Sequence, residues 1–261
     1  MLSGSLLDFL PARARHAEVR RWFDEAPSVK DVIEASGVPH PEVDLVLAGG
    51  RPVGFDNRVQ PGERIEVFGL DRPAALAGLP GLIPPAPEPR RFVVDGHLGR
   101  LARYLRTLGF DTWYAPNADD GLLARASAGE ERILLTRDRG LLKRSIVRLG
   151  YMPRSDDPAE QLREVAARYG LPERARPFSR CVRCNDVLRS VDRAAVAERL
   201  AGEPRTLRSF DTFAECAGCG SIYWPGSHFD RLSAMLGPLV GTGSADARQS
   251  TPRQAEQEGH R

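Results

Sequence analysis

The feature that most constrains the fold is an alternation of short apolar runs and helical patterns that starts at Phe92. Each apolar run has the length of a buried strand, and several of the helical segments end at a glycine. The pattern predicts strands over 92–94, 111–114, 133–136 and 151–153, and helices over 97–108, 120–128, 139–149 and 158–169. Such alternation is typical of an α/β fold whose largely parallel sheet is flanked by helices.

The N-terminal region carries shorter elements separated by turn residues. Gly49-Gly50 and Pro61-Gly62 are typical turn sequences. The pattern predicts a hairpin with strands over 5–10 and 17–23, a helix that begins after Ser28, and strands over 43–48, 51–53 and 64–68. We therefore predict a small β-grasp (ubiquitin-like) domain over residues 1–70.

The segment over residues 71–89 holds six prolines and no clear periodicity. This composition predicts a semi-rigid linker between two domains. After the linker we predict an α/β domain over 90–175, a cysteine-bearing domain over 176–238 and a disordered polar tail over 239–261.

The overall composition favours a folded, multidomain protein. Hydrophobic residues make up 41% and charged residues 28% of the 261-residue chain, which is ordinary for globular proteins. No stretch approaches the length of about 20 apolar residues that spans a bilayer, and the first residues lack the pattern of a signal peptide. We therefore expect a cytoplasmic protein that does not associate with membranes.

Acidic residues follow three of the predicted strands in the α/β domain. Asp95 follows the first strand, Asp119 and Asp120 follow the second, and Asp138 follows the third. Because parallel strands bring their carboxyl ends to one edge, we expect these side chains to lie near one another. Crowded carboxylates repel each other, and Mg²⁺ or Mn²⁺ relieves that repulsion by taking oxygen ligands. Such an ion activates water for attack on a phosphodiester, so the pattern favours hydrolysis of a nucleic acid.

Helix capping is the alternative role for each acid, because an aspartate at the start of a helix accepts hydrogen bonds from backbone N–H groups. Asp95 and Asp138 directly follow apolar strands, which favours metal binding there. One member of the pair Asp119 and Asp120 can cap while the other binds metal. Asp157 precedes a proline, and we predict that it is a cap.

Four cysteines form two Cys-x-x-Cys pairs, Cys181 with Cys184 and Cys216 with Cys219. In a reducing compartment such pairs indicate metal binding rather than disulfides. Two pairs complete a closed, tetrahedral Zn²⁺ site of the structural kind, as in a zinc ribbon. A redox-active pair and an iron site are the alternatives. The long segment between the pairs holds a predicted helix over 193–200.

Several stretches together resemble a known family. The stretches are Phe92–Arg103, Ala118–Asp120, Leu134–Arg139, the two Cys-x-x-Cys pairs, and Gly220–His228. In order and spacing they resemble the PIN-like ribonuclease domain named after the C-terminal region of the exonuclease mutator-seven. The resemblance covers roughly residues 90–236. Bacterial members of that family are similar in that they pair this domain with a ubiquitin-like N-terminus.

The resemblance implies a PIN-type fold, RNA as the substrate and dependence on Mg²⁺ or Mn²⁺. It also implies which residues hold the metal, namely Asp95, one or both of Asp119 and Asp120, and Asp138. One position departs from the family pattern. Many PIN nucleases carry a further acid two residues after the third-strand aspartate, and this chain has Gly140 there. Either water, Asp119 or Asp157 supplies the fourth ligand, or the activity is weak.

Basic residues near the acids are candidates for RNA contacts. Arginines at 100, 103 and 106 recur on the outer face of the predicted helix after Asp95. Solvation alone explains such a stripe, but beside an acidic site it would hold a phosphate backbone. His97 is better explained as a packed or exposed histidine than as a phosphate ligand. The predicted RNA contacts are Arg100, Arg103, Arg137, Arg139 and His228, the last with an equal case for a structural role.

Two other functions stay open. Gly140 favours a non-catalytic RNA-binding adaptor, in which the ubiquitin-like domain recruits a protein partner. The stretch Val43–Phe68 resembles the ubiquitin-fold sulfur carriers of the thiamine and molybdopterin pathways. Those carriers act through a free C-terminal Gly-Gly, whereas this chain continues past Gly69. A carrier role would therefore require cleavage at that point.

Overall fold

The computed structural model describes residues 1–15, 22–177 and 179–226. The predicted tail over 239–261, the predicted RNA contact His228 and most of the predicted strand over 17–23 lie outside the described residues.

The N-terminal region forms a three-stranded antiparallel sheet with one α-helix. Helix α1 spans Val29–Ala35, and its capping box joins Ser28 and Asp31. Strands β1 (Leu45–Ala48), β2 (Arg51–Pro52) and β3 (Ile65–Phe68) pair in the order β2-β1-β3. The predicted strand over 5–10 is wrong, because Gly4–Phe9 is a 3₁₀ helix. Its buried residues Leu6 and Phe9 are three apart, which is one 3₁₀ turn and suits burial of a single face.

The first part of the predicted linker packs on this sheet. Leu76 and Leu79 contact the core formed by Leu45, Leu47 and Phe68, and Leu82 N donates to Asp44 O at 2.6 Å. The proline-rich composition indicates an extended chain but does not show which surface the chain covers. The domain boundaries themselves stay a prediction.

The central region contains a parallel sheet of four strands. They are β4 (Arg91–Val94), β5 (Asp111–Tyr114), β6 (Ile133–Leu135) and β7 (Gly150–Tyr151), in the order β5-β4-β6-β7. One helix follows each strand, namely α2 (Gly99–Thr107), α3 (Asp120–Gly129), α4 (Arg139–Leu142) and α5 (Pro158–Tyr169). The mixed α/β fold with a parallel sheet is therefore confirmed.

Helix α4 is shorter than the predicted helix over 139–149. Its residues Leu141 and Leu142 are buried as the pattern requires, but the helix ends at Leu142. Leu134 N donates to Leu149 O at 3.1 Å, so the chain must have left the helix before Leu149 in order to join the sheet at β7. This tertiary demand outweighs the helical spacing of residues 143–149.

The two faces of the sheet carry different helices. Phe92 and Val94 pack with α2 and α5 on one face, whereas Val93 and Leu134 pack with α3 and α4 on the other. The chain passes from β4 to β5 on one side and then returns to β6 on the other side of β4. The space between the carboxyl ends of β4 and β6 is therefore a topological switch point, where open α/β sheets bind ligands.

The C-terminal region is a small antiparallel sheet that carries the cysteines. Strands β8 (Leu188–Val191), β9 (Phe213–Cys216) and β10 (Ile222–Tyr223) pair in the order β10-β9-β8. The predicted helix over 193–200 is α6 (Arg193–Ala197), and α7 (Pro204–Ser209) follows it. No helix among the described residues is long and apolar enough to cross a membrane.

Candidate active site and cysteine cluster

Two of the predicted acids lie at the switch point and share one hydroxyl group. Thr136 Oγ1 donates to Asp95 Oδ2 at 2.6 Å and accepts from Asp138 N at 2.9 Å. Thr136 is fully buried, so its hydroxyl is held in place between the two aspartates. We call this group, Asp95 and Thr136 to Asp138, the acid edge.

Asp95 continues the sheet before its side chain turns outward. Its N–H donates to Leu135 O at 3.0 Å, and its side chain makes no cap hydrogen bond to the helix that follows. The carboxylate is half-buried, and its one described partner is the hydroxyl of Thr136. The capping interpretation therefore does not apply to Asp95.

Asp138 does cap a helix. Its Oδ1 accepts from Gly140 N at 2.6 Å and from Leu141 N at 3.3 Å. A Cβ at Gly140 would lie 3.1 Å from that same oxygen, so the residue that departs from the family pattern packs against the cap. No described hydrogen bond uses Asp138 Oδ2, so capping and metal binding are compatible for this residue.

The acids after β5 also meet the backbone of a helix. Asp119 Oδ1 accepts from Leu122 N at 2.8 Å and caps α3, while Asp120 Oδ2 lies 3.8 Å from Arg144 Nη2. Asp157 caps α5, as predicted, through bonds to Ala159 N and Glu160 N of 2.8 and 3.0 Å. Asp119 is exposed and keeps one carboxylate oxygen outside the described hydrogen bonds.

The turn after β4 and the loop after β5 are in close contact. Tyr114 Oη donates to Gly96 O at 3.1 Å, and a Cβ on Gly96 would collide with the Pro116 carbonyl. This contact brings the chain that leads to Asp119 beside the acid edge. Within the described residues, however, the four cysteines are the only group of three or more potential metal ligands that lie together. The structure thus links Asp95 to Asp138 through Thr136, and within the described residues it does not gather Asp119 or Asp120 with both of them into one group of ligands.

A cleft of about 310 Å³ opens beside the acid edge. Two of the predicted RNA contacts, Arg100 and Arg137, line it, and Arg137 forms an ion pair with the exposed Asp156. Gln161 donates through Nε2 to Ser155 O at 2.9 Å. The remaining polar lining residue is His97.

The other predicted RNA contacts have different surroundings. Arg103 is exposed. Arg139 donates to Phe9 O at 2.9 Å and lies 5.2 Å from the centre of the Phe9 ring, so it contacts the ubiquitin-like domain. Arg106 does not share the exposed face of Arg100 and Arg103, because it is 6% exposed.

The four cysteines form a compact cluster. Their sulfur atoms all lie within 4.8 Å of one another, and the cysteines are free thiols. The sulfurs of Cys181 and Cys219 are 3.5 Å apart, and those of Cys184 and Cys216 are 3.3 Å apart. These distances exceed an S–S bond of about 2.05 Å and are close to the edge of a tetrahedron around Zn²⁺ with Zn–S bonds of about 2.3 Å. The residues present therefore fit a structural zinc ion.

The two Cys-x-x-Cys loops have the same local geometry. In each loop the N–H of the second cysteine donates to the sulfur of the first at 3.4 Å. The next residue, Asn185 or Gly220, has a positive φ of 72° or 70°, a conformation that glycine and asparagine adopt most readily. Hydrogen bonding to Ser221 lowers the pKa of Cys219 to about 6, and the thiolate is the form that binds metal.

The cysteine region is fixed to the edge strand β5 by polar contacts. Thr112 N donates to Asn185 Oδ1 at 2.9 Å, and Asn185 Nδ2 donates to Asp111 Oδ1 at 2.8 Å. Asp111 also pairs with Arg132 at 2.8 Å and with Arg180 at 3.5 Å. Asn185 directly follows Cys184, so the first Cys-x-x-Cys loop and the sheet share one hydrogen-bond network.

We expect this network to weaken in acid. Burial raises the pKa of Asp111, but hydrogen bonds from Arg132 and Asn185 outweigh it and hold the pKa below its usual value. A lowered folded-state pKa gives stability that is present above the unfolded-state pKa of about 3.9 and is lost as pH falls through the folded value. Asp111→Asn should therefore lower the free energy of unfolding at pH 7 and flatten its decline in acid.

Urea unfolding followed from pH 7 to pH 3 measures this effect. Asp192→Asn is the matched control, because Asp192 is exposed and its side chain makes no cap hydrogen bond. If Asp111→Asn and the wild type lost stability in parallel as the pH falls, the carboxylate would not be the group responsible.

Thr136 is a site residue that the sequence pattern did not identify. In the sequence it is the polar last residue of a predicted strand, and nothing distinguishes a hydroxyl that binds two aspartates from one that faces solvent. Its spacing of two residues before Asp138 is the signal that was available.

Two family models together match most of the chain. The Mut7-C RNase domain matches residues 90–236, which is more than half of the chain, and the Mut7-C ubiquitin domain matches residues 1–74. Searches among curated proteins and among solved structures give no match. The resemblance inferred from the motifs is confirmed. The chain therefore belongs to the Mut7-C RNase domain family and carries the ubiquitin-like domain of that family at its N-terminus.

Proposed function

We propose that this protein is a metal-dependent ribonuclease that hydrolyses phosphodiester bonds of RNA at the acid edge. The observation that carries the proposal is the Thr136 hydroxyl at the topological switch point, which links the Asp95 carboxylate to the backbone N–H of Asp138. The family match supports ribonuclease chemistry, and the position of the acids supports a reaction at this edge of the sheet.

The oxygen atoms of Asp95 and Asp138, with Asp119 or Asp120, would hold Mg²⁺ or Mn²⁺. Carboxylate oxygens are the ligands these ions prefer. When bound, such an ion supplies activated water and neutralises charge on the phosphate. Thr136 fixes the orientation of the Asp95 carboxylate, and the caps at Asp119 and Asp138 orient one oxygen of each toward a helix while the other stays available.

The cleft beside the acid edge would hold the RNA backbone. Arg100 and Arg137 present guanidinium groups there, and arginine binds phosphate oxygens in a bidentate manner. Arg137 would exchange its ion pair with Asp156 for one with a phosphate. Arg103 and Arg139 stay candidates for RNA contact, as does His228, which lies outside the described residues.

Zinc in the cysteine cluster would hold the ribbon against β5 and so complete the nuclease domain. Four thiols without disulfides suit a reducing compartment, and we place the protein in the cytoplasm. A protein partner of the ubiquitin-like domain is part of the same proposal.

Purified protein should cut RNA in the presence of Mn²⁺ or Mg²⁺ and not after chelation. Asp95→Asn and Asp138→Asn should each reduce the rate by on the order of 10³-fold, because each removes a carboxylate that stabilises charge in the transition state. Asp56→Asn, an exposed aspartate of the ubiquitin-like domain, is the control. Circular dichroism would verify that all variants are folded.

A non-catalytic RNA-binding adaptor is the second candidate function. Gly140, in place of a further acid, favours it, and so does the finding that no acidic ligand group of three or more lies together among the described residues. Calorimetric titration with Mn²⁺ distinguishes the two. RNA binding by a protein that shows no Mn²⁺ site sensitive to Asp95→Asn supports the adaptor and rejects the nuclease.

A further inference from the structure

A buried carboxylate of the ubiquitin-like domain is bound entirely by the nuclease domain. Glu42 is 2% exposed. Its Oε1 accepts from Met152 N at 2.8 Å and from Arg154 Nη1 at 3.3 Å, and its Oε2 lies 3.7 Å from Arg168 Nη1. A buried charge is costly unless it is paired and hydrogen bonded. The two domains therefore have one preferred arrangement, in which these partners meet.

Further polar contacts surround Glu42. His40 Nε2 lies 2.7 Å from Val147 O, and Lys143 Nζ donates to Glu34 O at 2.6 Å. Met152 packs against the hydrophobic cores of both domains. We call this surface, centred on His40, Glu42 and Met152, the domain interface.

A short path joins the domain interface to the acid edge. Met152, which donates to Glu42, follows Tyr151 in the chain. Tyr151 O accepts from Thr136 N at 3.2 Å, and the hydroxyl of Thr136 holds Asp95. Glu42 is therefore linked to the backbone of Thr136 by two hydrogen bonds and one peptide bond. The side chain of Thr136 in turn orients Asp95.

A second contact reaches the other acid. Arg139, the residue after Asp138, donates to Phe9 O at 2.9 Å. Arg154 lies 4.3 Å from the centre of the same Phe9 ring. The backbone N–H of Arg154 donates to Glu164 Oε2 at 2.7 Å. Because Glu164 belongs to α5, this bond holds the chain that leads to Asp156 against that helix. The ubiquitin-like domain thus contacts both segments that border the acid edge.

We propose that the ubiquitin-like domain acts within its own chain as a brace for the acid edge, and that Glu42 is a positioning residue for the nuclease reaction. This inference rests on the proposed ribonuclease function for its kinetic consequence. A protein partner would then have to use a face of the ubiquitin-like domain other than the one that carries Phe9, His40 and Glu42.

The test uses Glu42→Gln in the full-length protein. The amide oxygen still accepts from Met152 N, but the charge opposite Arg154 and Arg168 is lost. We expect faster hydrogen–deuterium exchange at Thr136 and over residues 151–155. We also expect kcat for RNA cleavage to fall about tenfold with KM unchanged, as for residues that orient a metal ligand. Glu66→Gln is the matched control, because Glu66 pairs at 3.5 Å with Arg64 inside its own domain.

A milder variant keeps the test valid if Glu42→Gln fails to fold. Lys143→Met removes the bond to Glu34 O at the border of the interface, and the same two readouts should move in the same direction. Exchange at Thr136 and a kcat that both match the wild type would overturn the brace. A raised KM with unchanged kcat would overturn it as well, because the interface would then affect RNA binding rather than the acids.

Failure of the brace and failure of the proposed function are distinguishable. Hydrogen–deuterium exchange needs no RNA and no activity. If the wild type cut no RNA, faster exchange at Thr136 in Glu42→Gln would still support the brace. If the wild type cut RNA and the exchange rates did not change, the nuclease would stand and the brace would fall.

Discussion

Replacing Cys216 with serine is expected to release zinc, unfold the cysteine region and loosen the edge strand β5. Binding of structural zinc by four thiolates contributes about 10–16 kcal/mol at neutral pH, and in small domains this is folding free energy. Cys216 ends strand β9 and is 1% exposed, so its loss damages both the metal site and the small sheet. Metal analysis should give one zinc per chain for the wild type and none for the variant.

The effect should extend into the parallel sheet. Asn185 follows Cys184 and binds the backbone of Thr112 and the carboxylate of Asp111. When the first Cys-x-x-Cys loop unfolds, Thr112 N loses its hydrogen bond to Asn185, so hydrogen exchange at β5 should accelerate. Val187→Ser is the matched control, because Val187 is 53% exposed and lies in the same loop. A wild-type protein that carries iron, or a Cys216→Ser variant with unchanged exchange at β5, would contradict the prediction.

The strands and helices around the acid edge are predictable because local and tertiary demands agree there. The apolar runs that form β4 and β6 are short and largely buried, and each is followed by a helix with a recognisable cap or glycine stop. The predicted helix over 158–169 coincides with α5, where Asp157 and Gly170 mark both ends. Such elements can be predicted from the sequence because the local signals agree with the final fold.

Elements at the domain interface were harder to predict. The apolar pattern of residues 5–10 fits a strand no better than a 3₁₀ helix. The burial of Phe9 beneath Arg139 and Arg154 decides between the two structures. Glu42 has no sequence signal at all, because its partners Met152, Arg154 and Arg168 lie more than a hundred residues away. Contacts of this range follow from how the domains dock, and a single sequence does not encode that in any local pattern.

The location of two of the acids could be predicted from the sequence, whereas their hydrogen bonds could not. The order of strand ends predicts that Asp95 and Asp138 lie at one edge of the sheet, and there the Thr136 hydroxyl links the Asp95 carboxylate to the backbone N–H of Asp138. Capping and metal binding appeared as alternatives in the sequence because both place an aspartate before a helix. At Asp138 the cap uses one oxygen, so the two roles do not compete for the same atom. The metal role itself stays a prediction.

Arg106→Met is expected to destabilise the protein by about 3–5 kcal/mol, because three backbone carbonyl groups lose a charged donor and each buried carbonyl left without a partner costs about 1–3 kcal/mol. Arg106 donates to Thr112 O at 2.9 Å, to Arg183 O at 2.9 Å and to Val182 O at 3.2 Å. The Arg106 guanidinium therefore donates to carbonyl groups of both the parallel sheet and the first Cys-x-x-Cys loop. Methionine fills similar space but leaves all three carbonyls without this donor.

Urea unfolding measures the loss, and Arg103→Met one turn earlier on α2 is the matched control. Both arginines belong to the same predicted stripe, yet Arg103 is exposed and Arg106 is 6% exposed. Exposed substitutions of this kind usually change stability by less than about 0.5 kcal/mol. Equal destabilisation by the two variants would show that the carbonyl contacts of Arg106 contribute nothing. A large difference would show that the two arginines are not equivalent, although they share the same helical stripe. The first Cys-x-x-Cys loop covers Arg106 and leaves Arg103 exposed.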